Sequence, residues 1–295
     1  MKNLCLGTAQ LGLDYGITNK TGKINHNETE LLLKRAVNEN IKYFDTAFSY
    51  GDSEEKIGEM LKDEDIEIIT KFSTNINRSF NLEDINLLNN LFELSLKRLK
   101  RNSINAYLLH NPNDFTKGNS KLLLNWLKSI KEKNLIKRIG VSIYNANDLK
   151  NIPLKEIDII QMPLSIYDQR LLDNSIINKL LDNGIAIHIR SIFLQGLLLQ
   201  DANKWPEMIN QRFRDHHKNY QNIIKSNNLS LLEGTISFIK ELKFPELILF
   251  GITNIKELNE VIKCWYNKEN INNKIDYEKF KWFEPNDLDP RKWKI

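Results

Sequence analysis

Cysteine is almost absent from this chain. Cys5 and Cys264 are the two thiols among 295 residues, too few and too far apart for a disulfide framework or a zinc site of ligand spacing. Cys5 lies inside an apolar strand pattern, where a free thiol behaves as a small hydrophobe. Long hydrophobic runs are missing too: no apolar stretch approaches a membrane span, and 41% hydrophobic with 27% charged residues describes an ordinary globular protein. The start, Met1-Lys2-Asn3-Leu4-Cys5, enters a strand-like segment at once, without a long apolar h-region or a cleavage site; a cytoplasmic protein with no membrane partner is expected. No charge sign dominates. The net charge is +4, and the basic run Lys97-Arg98-Leu99-Lys100-Arg101 falls at a predicted helix end, where cations suit the dipole. Basic residues are not gathered with exposed aromatics, so nucleic acid is not an expected partner. A Gly-x-Gly-x-x-Gly turn after the first strand is also lacking, which weakens a doubly wound nucleotide-binding fold.

What is present is alternation. Short β-branched apolar runs trade places with segments of helical period, the pattern of repeated β-α units. Strands are predicted over Leu4–Thr8, Tyr43–Thr46, Ile66–Lys71, Ala106–His110, Arg138–Ser142, Ile157–Met162, Ala186–Arg190 and Leu247–Ile252. Helices are predicted over Glu28–Asn40, Ser53–Lys62, Leu82–Lys100, Lys121–Lys133, Ala146–Asn151, Ser175–Asn183, a pair across Met208–Lys243, and Ile255–Trp265. Asp52 and Glu55 have capping-box spacing at the start of the second helix. Eight strands in strict alternation with helices predict an α/β protein, a single-domain (β/α)8 barrel over 1–295; the doubly wound sheet is the alternative. Two segments interrupt the rhythm: a long insertion from Phe193 after the seventh strand, and an aromatic tail over 267–295 expected near the barrel mouth.

Asp45, Lys71 and His110 end the second, third and fourth predicted strands, and Tyr50 follows Asp45 by five residues. In a barrel those ends share one mouth. Singly, each has a bland structural role open to it, such as a buried ion pair or a satisfied polar side chain. Together they make a controlled proton donor. A free tyrosine has a pKa of about 10 and holds its proton too tightly for good acid catalysis near neutrality. Lys71 beside it would favour the phenolate, Asp45 would fix Lys71, and His110 would orient the carbonyl receiving the proton. No metal site is expected, because the neighbouring residues do not form a cluster of ligand spacing.

These residues, in this order at these strand ends, resemble the aldo-keto reductase superfamily. The likeness runs through Leu6-Gly7-Thr8-Ala9-Gln10, Phe44-Asp45-Thr46-Ala47, Tyr50-Gly51-Asp52-Ser53-Glu54, Thr70-Lys71, Leu108-Leu109-His110, Ile139-Gly140-Val141-Ser142, Gln161, Gln195-Gly196-Leu197-Leu198 and Gly251-Ile252-Thr253. It implies a (β/α)8 barrel that transfers hydride from NADP(H), or alternatively NAD(H), to an aldehyde or ketone, with Tyr50 as general acid. By the same likeness Asp45 borders the nicotinamide ribose, and Ser142 and Gln161 bind the carboxamide. Ser191, Gln195 and Gly196 surround the pyrophosphate, with Gly7, Thr8 and Gly251 in the flanking motifs. Arg190 stands where an aromatic commonly stacks on the nicotinamide, and Ile143 where an Asn is usual. The Lys and Arg that select NADP align with Asn254 and Glu257, leaving Thr253 and Lys256 as the nearest donors, so a weakened NADP preference is expected. Tyr15, Phe48 and Trp282 are the candidate substrate-contacting side chains. The loop around Asp14 and Tyr15 is similar to that of a bacterial subgroup associated with sugar and surface-polysaccharide metabolism, which points to a sugar-derived carbonyl. Two other readings keep the fold: a low-turnover nicotinamide-binding regulator, and a barrel lyase or dehydratase without net redox change.

Overall fold

The computed structural model describes residues 2–267 and 275–293. Eight parallel strands close on themselves in sequence order, so the doubly wound alternative is overturned. They are β1 Asn3–Gly7, β2 Tyr43–Asp45, β3 Glu67–Phe72, β4 Ile104–Leu109, β5 Ile136–Ser142, β6 Ile159–Pro163, β7 Ala186–Arg190 and β8 Leu247–Phe250. The helices are α1 Ala9–Gly12, α2 His26–Asn38, α3 Ser53–Met60, α4 Asp84–Leu99, α5 Ser120–Glu132, α6 Asn174–Asp182, α7 Gln211–Ser226, α8 Leu231–Glu241 and α9 Ile255–Tyr266. The helix expected at Ala146–Asn151 is a 3-10 turn. Among the described residues no helix is long and apolar enough to cross a membrane.

Side chains on a strand alternate between faces, and in a closed barrel one face is the interior. Cys5, Ile69, Ala106, Leu108, Ile159, Leu247 and Leu249 form an interior apolar cluster, while a larger one lies between barrel and helices. Stepping two residues along the strands from these interior positions leads to Lys71, His110 and Gln161. The period of two therefore aims the chemistry-bearing residues inward at the C-terminal rim. The same face carries Arg138 and His188 toward the opposite end.

The cap expected at the start of α3 is not formed. Asp52 makes no side-chain cap on α3; its carboxylate instead faces Lys23 at 3.3 Å and Lys56 at 3.7 Å. Lys56 is itself buried, donating to the Leu11 and Ile24 carbonyls at 2.6 and 3.1 Å. True capping boxes occur at Asn145 with Asp148 and at Ser230 with Glu233. The basic run at the end of α4 is partly structural: Arg98 approaches Glu54 and Glu55, and Arg101 donates to the Leu61 and Glu64 carbonyls.

The tail over 275–293 packs back on the barrel, its stretch at 268–274 lying outside the described residues. Trp282 is 9% exposed, stacks on Phe213 of α7 at 5.0 Å, and donates its indole N–H to Asp287. These contacts make the ring part of what seats the tail on the barrel. Trp293 is half-buried against the same core and donates to the Asp287 carbonyl.

Candidate active site

The centre of the mouth is a buried ion pair. Lys71 Nζ lies 2.5 Å from Asp45 Oδ1 and also donates to the Thr46 carbonyl at 2.9 Å. Both side chains are nearly inaccessible, and such a pair persists only when its remaining lone pairs and protons are satisfied. Gln161 completes it, donating from Nε2 to Asp45 Oδ2 at 2.8 Å. The carboxylate thus has each oxygen engaged, one by a cation and one by an amide.

Tyr50 stands beside this pair, with the Lys71 ammonium 5.1 Å from its ring centroid. Its ring meets the His110 imidazole edge to face, centroids 5.9 Å apart. Backbone bonds fix the loop: Phe48 N–H donates to the Lys71 carbonyl, Tyr50 N–H to Ala47, and Ser53 N–H to Tyr50. The loop also presses on α1. A Cβ at Gly12 would overlap the Tyr50 carbonyl, and one at Gly51, whose φ is +54°, would overlap the Gly12 carbonyl. Gly12 is therefore a buried contact for the tyrosine loop.

Burial, then the Asp45 charge, raise the Tyr50 pKa well above the usual phenol range. This reverses the easing expected from Lys71: desolvation wins, and the phenol is firmly protonated at neutral pH. His110 moves the other way, pushed down to about 3 by burial and then by the nearby Lys71 and Arg190 cations. It is a neutral imidazole, with Nδ1 3.5 Å from Ser49 Oγ. One protonated phenol and one neutral imidazole thus sit over a locked ion pair.

Several expected ligand-contacting residues are brought to this rim. Ser142 Oγ and Gln161 Oε1 are buried without a hydrogen-bond partner, an arrangement that buried polar atoms rarely tolerate unless a further group satisfies them. Tyr15 faces the mouth, its pKa raised by burial and by Tyr50. Others are engaged within the protein. The Thr8 hydroxyl donates to the Asp45 carbonyl and accepts from Ser53 Oγ, tying β1 to β2 and α3. The Gln195 side chain accepts from Ile17 N–H and its carbonyl from Thr18 Oγ1, so the loops after β1 and β7 are strapped together. Gly196, at φ +89°, leaves room for Thr18 where a Cβ would collide. Ser191 also has positive φ and accepts a bond from Arg190. Gly7 and Gly251 lie at the ends of β1 and β8.

The half-buried Phe48 ring lies under the Arg98 guanidinium of α4 at 4.4 Å, tying the tyrosine loop to the helical layer. Lys256 is 85% exposed and turned toward Glu260 at 3.9 Å. Glu257 folds back on the start of α9, accepting from Thr253 N–H at 2.7 Å and from its hydroxyl at 2.9 Å. Two residues at the rim escaped the sequence reading. Tyr144, two positions beyond β5, carries the Arg190 guanidinium over its ring at 4.4 Å and that of Arg291 at 3.3 Å. An aromatic just past a barrel strand was a usable signal for Tyr144; nothing local signals Arg291, which arrives from the tail.

Fold and site together define a (β/α)8 barrel with an acid, a lysine, a phenol and an imidazole at its C-terminal rim. The chain belongs to the aldo/keto reductase family, whose sequence profile matches residues 3–275, and is accordingly an oxidoreductase of that family. It is 27% identical over 229 residues to the glyoxal reductase of Bacillus subtilis (strain 168), covering 76% of this chain and 77% of that protein. It is 32% identical over 180 residues to the NADH-specific methylglyoxal reductase of Escherichia coli (strain K12), covering 54% of each. Among solved structures, the holo form of an aldo-keto reductase from Bacillus halodurans superposes with a TM-score of 0.72 at 18% identity, covering 94% of this chain and 89% of that one. That last likeness concerns the fold.

Proposed function

We propose that this protein reduces a small aldehyde or ketone with a nicotinamide cofactor, Tyr50 donating the proton. The observation that carries the reading is the Asp45–Lys71 pair held between Tyr50 and Gln161, with a neutral His110 alongside. The cofactor fits the residues present: Ser142 Oγ and Gln161 Oε1 offer the unmatched hydroxyl and carbonyl that a nicotinamide carboxamide can satisfy. A bound reduced nicotinamide supplies the hydride. The chain supplies the rest. Neutral His110 donates an N–H to the substrate carbonyl oxygen and holds it against Tyr50. Tyr50 passes its phenolic proton to that oxygen as negative charge builds there. Lys71, fixed by Asp45, stands over the phenol as its proton leaves and stabilises the phenolate that a desolvated site otherwise penalises.

NADH is the better-suited cofactor. The donors at the start of α9 are already taken by the Glu257 carboxylate, and a 2′-phosphate brought there meets negative charge instead of cations. The relative named as NADH-specific supports this direction. The two relatives named above are both named for small dicarbonyls, which favours glyoxal-like substrates, with a sugar-derived carbonyl as the broader class that Tyr15 at the rim suits.

The test is a panel of glyoxal, methylglyoxal, simple aldehydes and keto-sugars with NADH and NADPH, followed at the nicotinamide absorbance. Turnover with NADH is expected. Failure to reduce any carbonyl with either cofactor would sink the reductase reading, and NADPH binding more tightly than NADH would remove the stated preference.

A further inference from the structure

The rim beyond Tyr50 carries three arginines, and their charges are not equally compensated. Arg170 is held by Asp168 through two bonds of 2.7 and 2.8 Å. Arg291 is held in the same way by Asp289, at 2.8 and 2.6 Å, and Asp148 also lies within its electrostatic reach. Arg190 differs. Its polar partners among the described residues are the Ser191 hydroxyl at 3.2 Å and the Ile143 carbonyl at 3.0 Å, neither of them charged. Its guanidinium carbon sits over the Tyr144 ring, 4.4 Å from the centroid, a contact that fixes its position while leaving the charge uncancelled.

The ledger of the mouth makes that charge conspicuous. Asp45 is cancelled by Lys71 and shared with Gln161, and His110 is neutral. Arg190 therefore leaves the cleft net positive beside the reacting phenol, and its field is felt at Tyr50, Tyr15 and His110. A half-buried cation without a counter-ion is costly unless a ligand provides one. Arg291, brought over the same Tyr144 ring by the tail, sets a second guanidinium at the edge of this space.

Resting on the reductase reading, the geometry points to a carboxylate-recognising substrate subsite made by Arg190, Tyr144 and Arg291, selecting carbonyl compounds that bear a carboxylate near the reducible group. Arg190 is the principal contact, Tyr144 sets its orientation, and Arg291 is the outer, partly neutralised contributor. The cofactor pyrophosphate is the other source of such an anion, and the experiment separates the two.

Kinetics would be measured on glyoxylate and succinic semialdehyde, each beside its uncharged methyl ester, with NADH. Removing a charge-assisted bond to a carboxylate is worth about 10–100-fold. Wild-type protein should therefore prefer at least one acid over its ester by about that factor, with KM for the acid rising at high salt. Arg190→Met should collapse the acid-to-ester ratio toward one. Arg190→Lys should restore part of it, and Arg291→Gln should reduce it by only about threefold, since Asp289 already offsets that charge. An equal loss for acid and ester, together with weaker NADH binding in a fluorescence titration, would assign Arg190 to the cofactor and overturn the proposal. So would esters that match their acids in the wild type. Binding of the alcohol 4-hydroxybutyrate against its amide, by calorimetry with and without NADH, a cofactor form that cannot oxidise it, needs no turnover. Discrimination that is present there and lost in Arg190→Met upholds the subsite even if no carbonyl is reduced, in which case the reductase reading alone fails; absence of discrimination overturns the subsite.

Discussion

The barrel holds two charge clusters, one at each end, and they behave oppositely. At the N-terminal end, Glu246 joins Arg138 at 2.6 Å and His188 at 3.1 Å, while Arg138 also reaches Asn105 at 2.9 Å. That cluster is a plug: the carboxylate is drawn down to about pKa 2 by the His188 hydrogen bond and by Arg138, and its charged groups face one another, with His188 Nδ1 the one ring atom of the set left without a partner among the described residues. At the C-terminal end the same ingredients, a carboxylate, a cation and an imidazole, are arranged with surplus. Asp45 and Lys71 close on each other, but Tyr50, His110, Ser142 and Gln161 keep polar atoms available toward the mouth. An interior ion pair is thus not in itself a mark of function; what sets the C-terminal end apart is a phenol and an imidazole beside several unmatched polar atoms that converge on the mouth.

Breaking the comparison at its catalytic end should give the largest effect. Tyr50→Phe removes only the hydroxyl and should lower kcat by about 10²–10⁴, the range for a positioned general acid, with cofactor binding nearly intact in a fluorescence titration. Wild-type activity in that variant would end the acid role. Lys71→Met strands the Asp45 carboxylate in the interior and should abolish turnover while destabilising the fold by roughly 3–5 kcal/mol, measured by urea denaturation. At the plug, Glu246→Gln should cost only about 1 kcal/mol, because the cluster is partly open to solvent, and kcat should not change. A large fall in kcat there would show that the two ends are coupled.

The smallest effect is gradual and sharpens the contrast through pH. His110 and His217 have pKa values lowered from 6.5 to about 3 and about 4, and His188 is lowered as well, burial leading in each case. The unfolded chain therefore binds more protons than the folded one below about pH 6.5, so stability falls as pH drops through that point toward 4. Glu246 adds a later loss, since its stabilisation is present above 4.5 and disappears toward 2. Melting temperature should decline steadily below about pH 6.5, whereas kcat/KM should show no His110 titration across the same interval. A histidine-like inflection in kcat/KM that vanishes in His110→Ala would contradict the neutral imidazole.

Much of this was legible in the sequence because barrel strands write their faces with a period of two. All eight strands were placed within a few residues, and Asp45, Lys71 and His110 could be read as inward rim residues from position alone. What stayed hidden depended on partners distant in the chain. Asp52 has the spacing of a cap, yet Lys23 and Lys56 compete for its carboxylate. Phe48 adjoins the reactive tyrosine loop but is taken by Arg98, two helices onward. Trp282 looked free because Phe213 and His216, the rings that cover it, lie in a helix some seventy residues earlier. The direction of the Tyr50 shift was hidden for another reason: it is set by the degree of burial, which no spacing expresses.

The Gly12 and Gly51 contact has a bearing on how related sequences should be sorted. Keeping Asp, Tyr, Lys and His is not enough to keep the phenol in place, because the tyrosine loop rests its backbone directly on α1. A chain with all four reactive residues but a side chain at either glycine has to lift that loop away. It would pass a search for catalytic residues and still be an impaired enzyme. The two small residues, which carry no chemistry, are therefore the better diagnostic of whether the inherited machinery still works.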